Sequence, residues 1–112
     1  MGKAYIVQEP LRKDHVSGQM VPVMDFRPVL EYGEAIVCLK SGRIALSPAP
    51  MIDSLKEVLK DFSDDDYLVA VGDPSAIAAA ASICSNNNRG KFKLLKWDKE
   101  SRRYISVAIN IF

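Results

Sequence analysis

The stretch Tyr67-Leu-Val-Ala-Val-Gly-Asp-Pro-Ser75 decides the fold, because it leads from a buried strand directly into a helix. Residues 67–71 form a short, continuous apolar run, which is the pattern of a strand buried on both faces of a sheet. Gly72 breaks the run, Asp73 is a preferred N-cap residue and Pro74 a preferred first helical residue. The stretch therefore predicts a strand, a tight turn and a helix.

Two helices and a further buried strand are predicted around this stretch. The helix after Pro74 extends over residues 75–85 and is rich in alanine, which allows close packing against a sheet. A second continuous apolar run, Ala-Ile-Val-Cys-Leu, within residues 34–40 predicts the other buried strand. The first helix follows it, with an apolar stripe at helical spacing formed by Met51, Ile52, Leu55, Val58, Leu59 and Phe62.

The N-terminal part of the chain alternates extended and polar segments. Residues 3–8 have the composition of a short strand, and residues 11–19 are predicted to be an exposed loop. The two prolines within residues 21–28 predict extended backbone or an edge strand. Ser41-Gly42-Arg43 predicts a hairpin turn into a short strand at residues 44–47.

The last segment predicts an antiparallel hairpin, because apolar and polar residues alternate on both sides of the charged connection 98–103. Phe92, Leu94, Val107 and Ile109 are predicted to face inward. Lys93, Trp97 and Tyr104 are then predicted to face outward.

These elements predict a single α/β domain over residues 1–112. The expected sheet is mixed, with about five to six strands, a parallel centre, two helices and a C-terminal antiparallel hairpin; an α+β arrangement is the alternative. Right-handed crossovers are expected. The residues expected to be almost wholly buried are Leu55, Leu59, Val69, Val71, Val107 and Ile109.

Composition and charge restrict the classes of protein. The 112 residues are 48% hydrophobic and 26% charged, which is typical of a globular chain. The apolar runs are too short for a membrane-spanning helix, and the spacing of the two cysteines suits neither a disulfide framework nor a zinc site. We therefore expect a cytoplasmic protein that does not contact a membrane. The net charge of +1 is uneven: residues 44–88 carry −5 and residues 89–112 carry +5.

Two places are candidate sites. Gly72, Asp73 and Ser75 lie at a helix N-terminus after a central strand, where amides bind anions; Asp73 as a cap would occupy those amides instead. The outward face of the hairpin combines aromatic and basic side chains, a pattern found where proteins bind other proteins or single-stranded nucleic acid. The candidate partner-binding residues there are Lys91, Lys93, Trp97, Arg102, Arg103 and Tyr104.

Catalytic patterns are weak in this sequence. It has one histidine, in a polar loop, and its carboxylates lie in no recognisable catalytic context. Ser63-Asp-Asp-Asp66 lacks the spacing of a calcium loop and is predicted to be a solvated turn. We therefore predict a non-enzymatic protein without a cofactor or a bound metal.

Four segments carry a resemblance to a known group of proteins. They are Tyr5-Ile-Val-Gln-Glu9, Val21-Pro-Val-Met-Asp-Phe26, Tyr67-Leu-Val-Ala-Val-Gly-Asp-Pro-Ser-Ala-Ile77 and Gly90-Lys-Phe-Lys-Leu-Leu-Lys-Trp-Asp98. Together they resemble small uncharacterised proteins encoded by tailed bacteriophages. The resemblance implies an intracellular protein made in an infected bacterium, and it brings no known activity or site residues.

Three functions remain open from the sequence. The first is an accessory protein that binds a protein partner or itself, as a homo-oligomer, through the hairpin. The second is a nucleic-acid-binding module that uses the same face. The third is a small anion-binding or nucleotide-binding domain at Gly72-Asp73-Pro74.

Overall fold

The computed structural model describes residues 2–40 and 49–112, and it confirms the α/β fold with two helices and a C-terminal antiparallel hairpin. The predicted turn Ser41-Gly42-Arg43 and the strand after it lie outside the described residues. The elements in chain order are β1 (Lys3–Gln8), β2 (Leu11–Lys13), β3 (Met20–Pro22), a 3-10 helix (Arg27–Glu31), β4 (Glu34–Leu39), α1 (Ala49–Val58), β5 (Tyr67–Val69), α2 (Pro74–Asn87), β6 (Lys91–Asp98) and β7 (Arg103–Asn110).

The main sheet is mixed, as predicted, and its strand order is β4-β1-β5-β6-β7. Four neighbouring strands run parallel, and β7 pairs antiparallel with β6 at one edge. The chain moves from β1 outward to β4, and then returns across β1 to β5. The order therefore reverses between β1 and β5, which is where open α/β sheets tend to bind ligands.

Each face of the sheet covers a separate hydrophobic core. Both α-helices lie on one face, where Leu55 and Leu59 of the α1 segment and Cys84 of α2 are fully buried against the sheet. The 3-10 helix lies on the other face, with Val29 fully buried. The connection from β1 to β4 runs across the sheet in one direction, and the connections through α1 and α2 run in the other direction. If all crossovers have the same hand, the two groups must lie on opposite faces, as the 3-10 helix and the α-helices do.

Three expectations about the periphery were wrong. The apolar run in residues 34–40, predicted to be a strand buried on both faces, forms the edge strand β4, and none of its residues is fully buried, because β1 covers it on one side only. The polar segment after β1 is not only a loop, because β2 and β3 pair as a small antiparallel ribbon. Val107 and Ile109 are half-buried rather than wholly buried, whereas Leu55, Leu59, Val69 and Val71 are buried as predicted. The physical reason is that β7 is an edge strand, so its apolar side chains are covered on one side only.

Candidate binding site on the C-terminal hairpin

The tip of the hairpin is held by local hydrogen bonds. Asp98 accepts hydrogen bonds from the amide of Ser101 at 3.2 Å and from its hydroxyl at 2.5 Å, and these bonds lower the pKa of the Asp98 carboxyl. The Arg102 amide donates to the Asp98 carbonyl at 2.8 Å, and Arg102 adopts a left-handed backbone with φ +55°. The charged connection is therefore an ordered turn that fixes the register of β6 against β7.

Lys93, Trp97 and Tyr104 lie on the same face of the hairpin, as predicted, but another segment of the chain covers this face at Tyr104. Trp97 lies directly opposite Tyr104 in the ladder, on the side of the sheet away from the α-helices. The prediction that Tyr104 is exposed was wrong, because only 2% of it is accessible to solvent. The segment around the 3-10 helix lies over it and packs Phe26 and Met24 against the same core.

Of the two aromatic residues predicted to face outward, Trp97 remains accessible, with 38% of its surface exposed. Its ring meets the ring of Tyr104 edge-on, with the centroids 5.1 Å apart. Trp97 also forms one wall of a groove of about 300 Å³, whose other lining residues are Val23, Met24, Asp25 and Pro28. The groove therefore lies between the hairpin and the segment that leads into the first turn of the 3-10 helix.

The charge at the groove is mixed rather than basic. Asp25 accepts hydrogen bonds from Arg27, the shortest at 2.8 Å, and these bonds hold the pKa of the Asp25 carboxyl below its ordinary value. Both side chains are exposed, so the pair is a solvated ion pair at the rim.

The six predicted partner-binding residues do not form one patch. Lys91 lies six residues from Trp97 along β6, a separation of roughly 20 Å at strand rise. The ammonium of Lys93 lies 4.1 Å from the ring centroid of Tyr67, where a cation–π contact occupies it. Arg103 lies opposite Asp98 in the ladder, and its positive charge acts on the Asp98 carboxyl and the Tyr32 phenol. The structure brings together Trp97 and Tyr104, with Arg102 at the adjacent turn.

The buried Tyr104 side chain has an unusual feature beneath the groove. Within residues 2–40 and 49–112, its hydroxyl has no hydrogen-bond partner. Burial raises the pKa of this phenol, and the negative charge of Asp25 raises it further. A buried hydroxyl that makes no hydrogen bond lowers the free energy of unfolding, because the group has lost its bonds to water and gained none in the folded chain.

The second candidate site, at the start of α2, is filled by groups of the chain itself. The predicted cap is confirmed, because Asp73 Oδ1 accepts a hydrogen bond from the Ser75 amide at 2.8 Å. The Asp73 amide in turn donates to Gln8 Oε1 at 2.8 Å. Gly72 has a φ of +118°, and a Cβ at this residue would lie 2.5 Å from the Cβ of Gln8. An anion bound here would have to displace these bonds.

Two features were not predicted from the sequence, the residues that line the groove opposite Trp97 and the buried carboxylate of Asp66. Val23, Met24 and Pro28 line the groove, and the pair of prolines in that segment was the available signal for a fixed wall. Asp66, in the segment predicted to be a solvated turn, is buried. It accepts hydrogen bonds from the amides of Lys3 and Ser63, both at 2.8 Å, and joins β1 to the turn before β5.

The comparisons with known proteins identify the family. Residues 2–111 match the family model described as phage Pam3 gp32-like protein. No curated protein and no solved structure matches the chain. No helix among the described residues is long and apolar enough to cross a membrane. The match covers almost the whole chain and confirms the resemblance to small proteins encoded by bacteriophages, so the chain belongs to the phage Pam3 gp32-like protein family.

Proposed function

We propose that this protein is a non-enzymatic accessory protein of the phage, and that it binds a protein partner at the groove beside Trp97. The observation that carries the proposal is the half-exposed indole over a groove of about 300 Å³ with apolar walls. Exposed apolar surfaces of this kind generally mark interaction sites, and tryptophan is enriched among residues that dominate binding energy.

The shape of the groove favours an inserted side chain of the partner. Trp97 is held from below by Tyr104, and the segment with Val23 and Pro28 forms the opposite wall. Because Val23 is 52% exposed, the apolar surface continues onto the outer side of that wall. A partner that inserts one apolar side chain would cover both Trp97 and Val23, and the ion pair of Asp25 and Arg27 would form part of the polar rim.

A nucleic-acid-binding function is the second candidate, because residues 89–112 carry a net charge of +5. The positions of the charged groups support it less well. Lys93 already lies over Tyr67, Lys91 is at the far end of the strand, and the carboxylate of Asp25 lies at the groove. Phosphates beside Trp97 would therefore meet the ion pair of Asp25 and Arg27 rather than a row of free cations.

A pull-down from phage-infected bacterial lysate, with and without nuclease, tests the proposal. We expect the wild-type chain to capture a protein whether or not nuclease is added. Trp97→Ala should weaken the affinity for the captured protein by at least about 2 kcal/mol, or roughly thirtyfold. Trp97→Phe should keep part of the affinity. Val16→Ala is the matched control, because Val16 is an exposed apolar residue outside the groove.

The proposal fails if Trp97→Ala captures the same protein with unchanged affinity while its circular dichroism matches that of the wild type. The nucleic-acid candidate is tested by titrating labelled single-stranded DNA and RNA at two salt concentrations. If it is right, the affinity falls steeply with salt, and nuclease removes whatever the pull-down captured.

A further inference from the structure

The strand β7 forms one edge of the sheet, and its outer side is a second surface, separate from the groove. The pairing Gly90–Ile111 continues the β6–β7 ladder, with a bond from the Ile111 amide to the Gly90 carbonyl at 2.9 Å. Opposite pairs in an antiparallel ladder alternate between bonded and non-bonded. The backbone groups of Ser106, Ala108 and Asn110 therefore point away from β6, toward the open side of the edge.

These backbone groups are unpaired within the described residues. Over residues 2–40 and 49–112, no hydrogen bond reaches the backbone N–H or C=O of Ser106, Ala108 or Asn110 from another element. The next outward carbonyl, that of Tyr104, already accepts a bond from the Tyr32 hydroxyl at 2.9 Å. The free stretch is therefore symmetric about Ala108.

The edge also lacks the features that normally block strand pairing. Residues 104–111 contain no charged residue and no proline, whereas natural edge strands are usually protected by lysine, proline or a bulge. On the helix side, Ile105, Val107 and Ile109 are only half-buried, because α2 packs over β6 rather than over the edge. On the other side, Ser106 and Ala108 are small and exposed.

We propose that β7 pairs antiparallel with β7 of a second copy of this chain, about a two-fold axis at Ala108. This register bonds Ser106 to Asn110 of the partner and Ala108 to its symmetry mate, so every free outward group is used and the occupied Tyr104 carbonyl is not needed. Val107 then lies opposite Ile109 of the partner. The two five-stranded sheets become one continuous sheet of ten strands.

A second copy fits this edge because the contact is self-complementary. Leu94, Val107 and the partner's Ile109 and Phe92 form one apolar row across the axis, and of these Leu94, Val107 and Ile109 are half-buried in the single chain and become covered. The nearest cations facing each other are the two Lys93 residues, roughly 14 Å apart at the spacing of three strands. This separation exceeds the Debye length of about 8 Å at physiological salt, so their repulsion is weak.

The pairing would also fix the positions of the two Trp97 grooves relative to each other. A two-fold axis perpendicular to the sheet keeps both grooves on the same face, and strand geometry places the two Trp97 residues roughly 30 Å apart. The dimer would then be bivalent toward a repetitive partner. The edge and the groove use different residues, so Trp97→Ala should leave the dimer intact. The dimer can therefore be tested whether or not the groove proposal is right.

Cysteine cross-linking tests the register. Ala108→Cys places two cysteines on the axis in a bonded pair with Cα atoms about 5.5 Å apart, which suits a disulfide. We expect it to form a covalent dimer under mild oxidation. The matched control Ser106→Cys places its two cysteines roughly 13 Å along the strands from each other, too far to be joined, and the wild type controls for the native thiols. Cross-linking of Ser106→Cys but not of Ala108→Cys would overturn the proposal.

Charged pairs test the contact without oxidation. Ser106 and Asn110 are exposed in the single chain, and a Glu at position 110 lies opposite Lys91 of the same chain, so Ser106→Glu/Asn110→Glu and Ser106→Lys/Asn110→Glu should both fold. Across the axis, the first variant opposes like charges and the second opposite charges. Sedimentation equilibrium at several concentrations should show a dissociation constant at least about tenfold weaker for the first variant than for the second. A wild-type chain that stays monomeric throughout, or two variants that dimerise equally, would overturn the proposal.

Discussion

Removal of the buried Tyr104 hydroxyl should stabilise the protein. Tyr104 is almost wholly inaccessible, and its hydroxyl has no hydrogen-bond partner among residues 2–40 and 49–112. An unsatisfied buried polar group costs about 1 to 3 kcal/mol. Tyr104→Phe keeps the ring that supports Trp97 and removes only this group. We therefore expect the free energy of unfolding to rise by about 1 kcal/mol, and by no more than about 3 kcal/mol.

A neighbouring tyrosine provides a matched control of opposite sign. Tyr32 donates its hydroxyl to the Tyr104 carbonyl at 2.9 Å, in a partly buried position. Tyr32→Phe loses this bond and should lower the free energy of unfolding by about 0.5 to 1.5 kcal/mol. The two variants delete the same atom from residues in contact, so the difference in sign isolates the effect of the hydrogen bond.

The measurement is equilibrium unfolding in urea. Trp97 is the single tryptophan of the chain, and its ring contacts Tyr104, so its fluorescence reports on the region that is changed. Circular dichroism gives an independent signal, and an unchanged slope with urea shows that the unfolded reference is comparable. If Tyr104→Phe is instead destabilised by about 1 kcal/mol or more, the hydroxyl has a partner and the reasoning is refuted.

Three further predictions concern the helix-covered core, the turn before α2 and alkaline pH. Leu59→Ala should lower the free energy of unfolding by about 2 to 5 kcal/mol in urea, because Leu59 is fully buried; a change below about 1 kcal/mol would contradict the packing of α1. Gly72→Ala should cost about 2 to 5 kcal/mol, since the added Cβ meets Gln8 at 2.5 Å and the backbone has a positive φ; an unchanged melting temperature would disprove the close approach. Burial raises the pKa of Cys38 and Cys84 from 9.0 to about 12, so stability present below pH 9 should be lost as pH rises toward 12, because the unfolded thiols release protons first. Urea midpoints measured at rising pH test this, and replacing both cysteines with alanine should reduce the loss.

Local patterns in the sequence were sufficient for the elements and for their internal contacts. The apolar stripe of α1 predicted the buried positions Leu55 and Leu59, and Asp73 was predicted as the N-cap of α2, where its side chain accepts a hydrogen bond from the Ser75 amide. Helical spacing, strand alternation and capping depend on residues close in the chain, so each can be derived from a short window of sequence.

Only the tertiary structure decided which surfaces of these elements are free. Alternation showed that Phe92 and Trp97 point to opposite faces of the hairpin, but both faces carry apolar residues, and alternation alone does not determine what covers each face. The cover over Tyr104 comes from a segment about seventy residues earlier in the chain, as the bond from Tyr32 shows. Likewise, Gln8 fills the turn at Asp73 from 65 residues away. Such contacts follow from the order of strands in the sheet, which depends on the packing of the whole chain and leaves no periodic signal in any local segment.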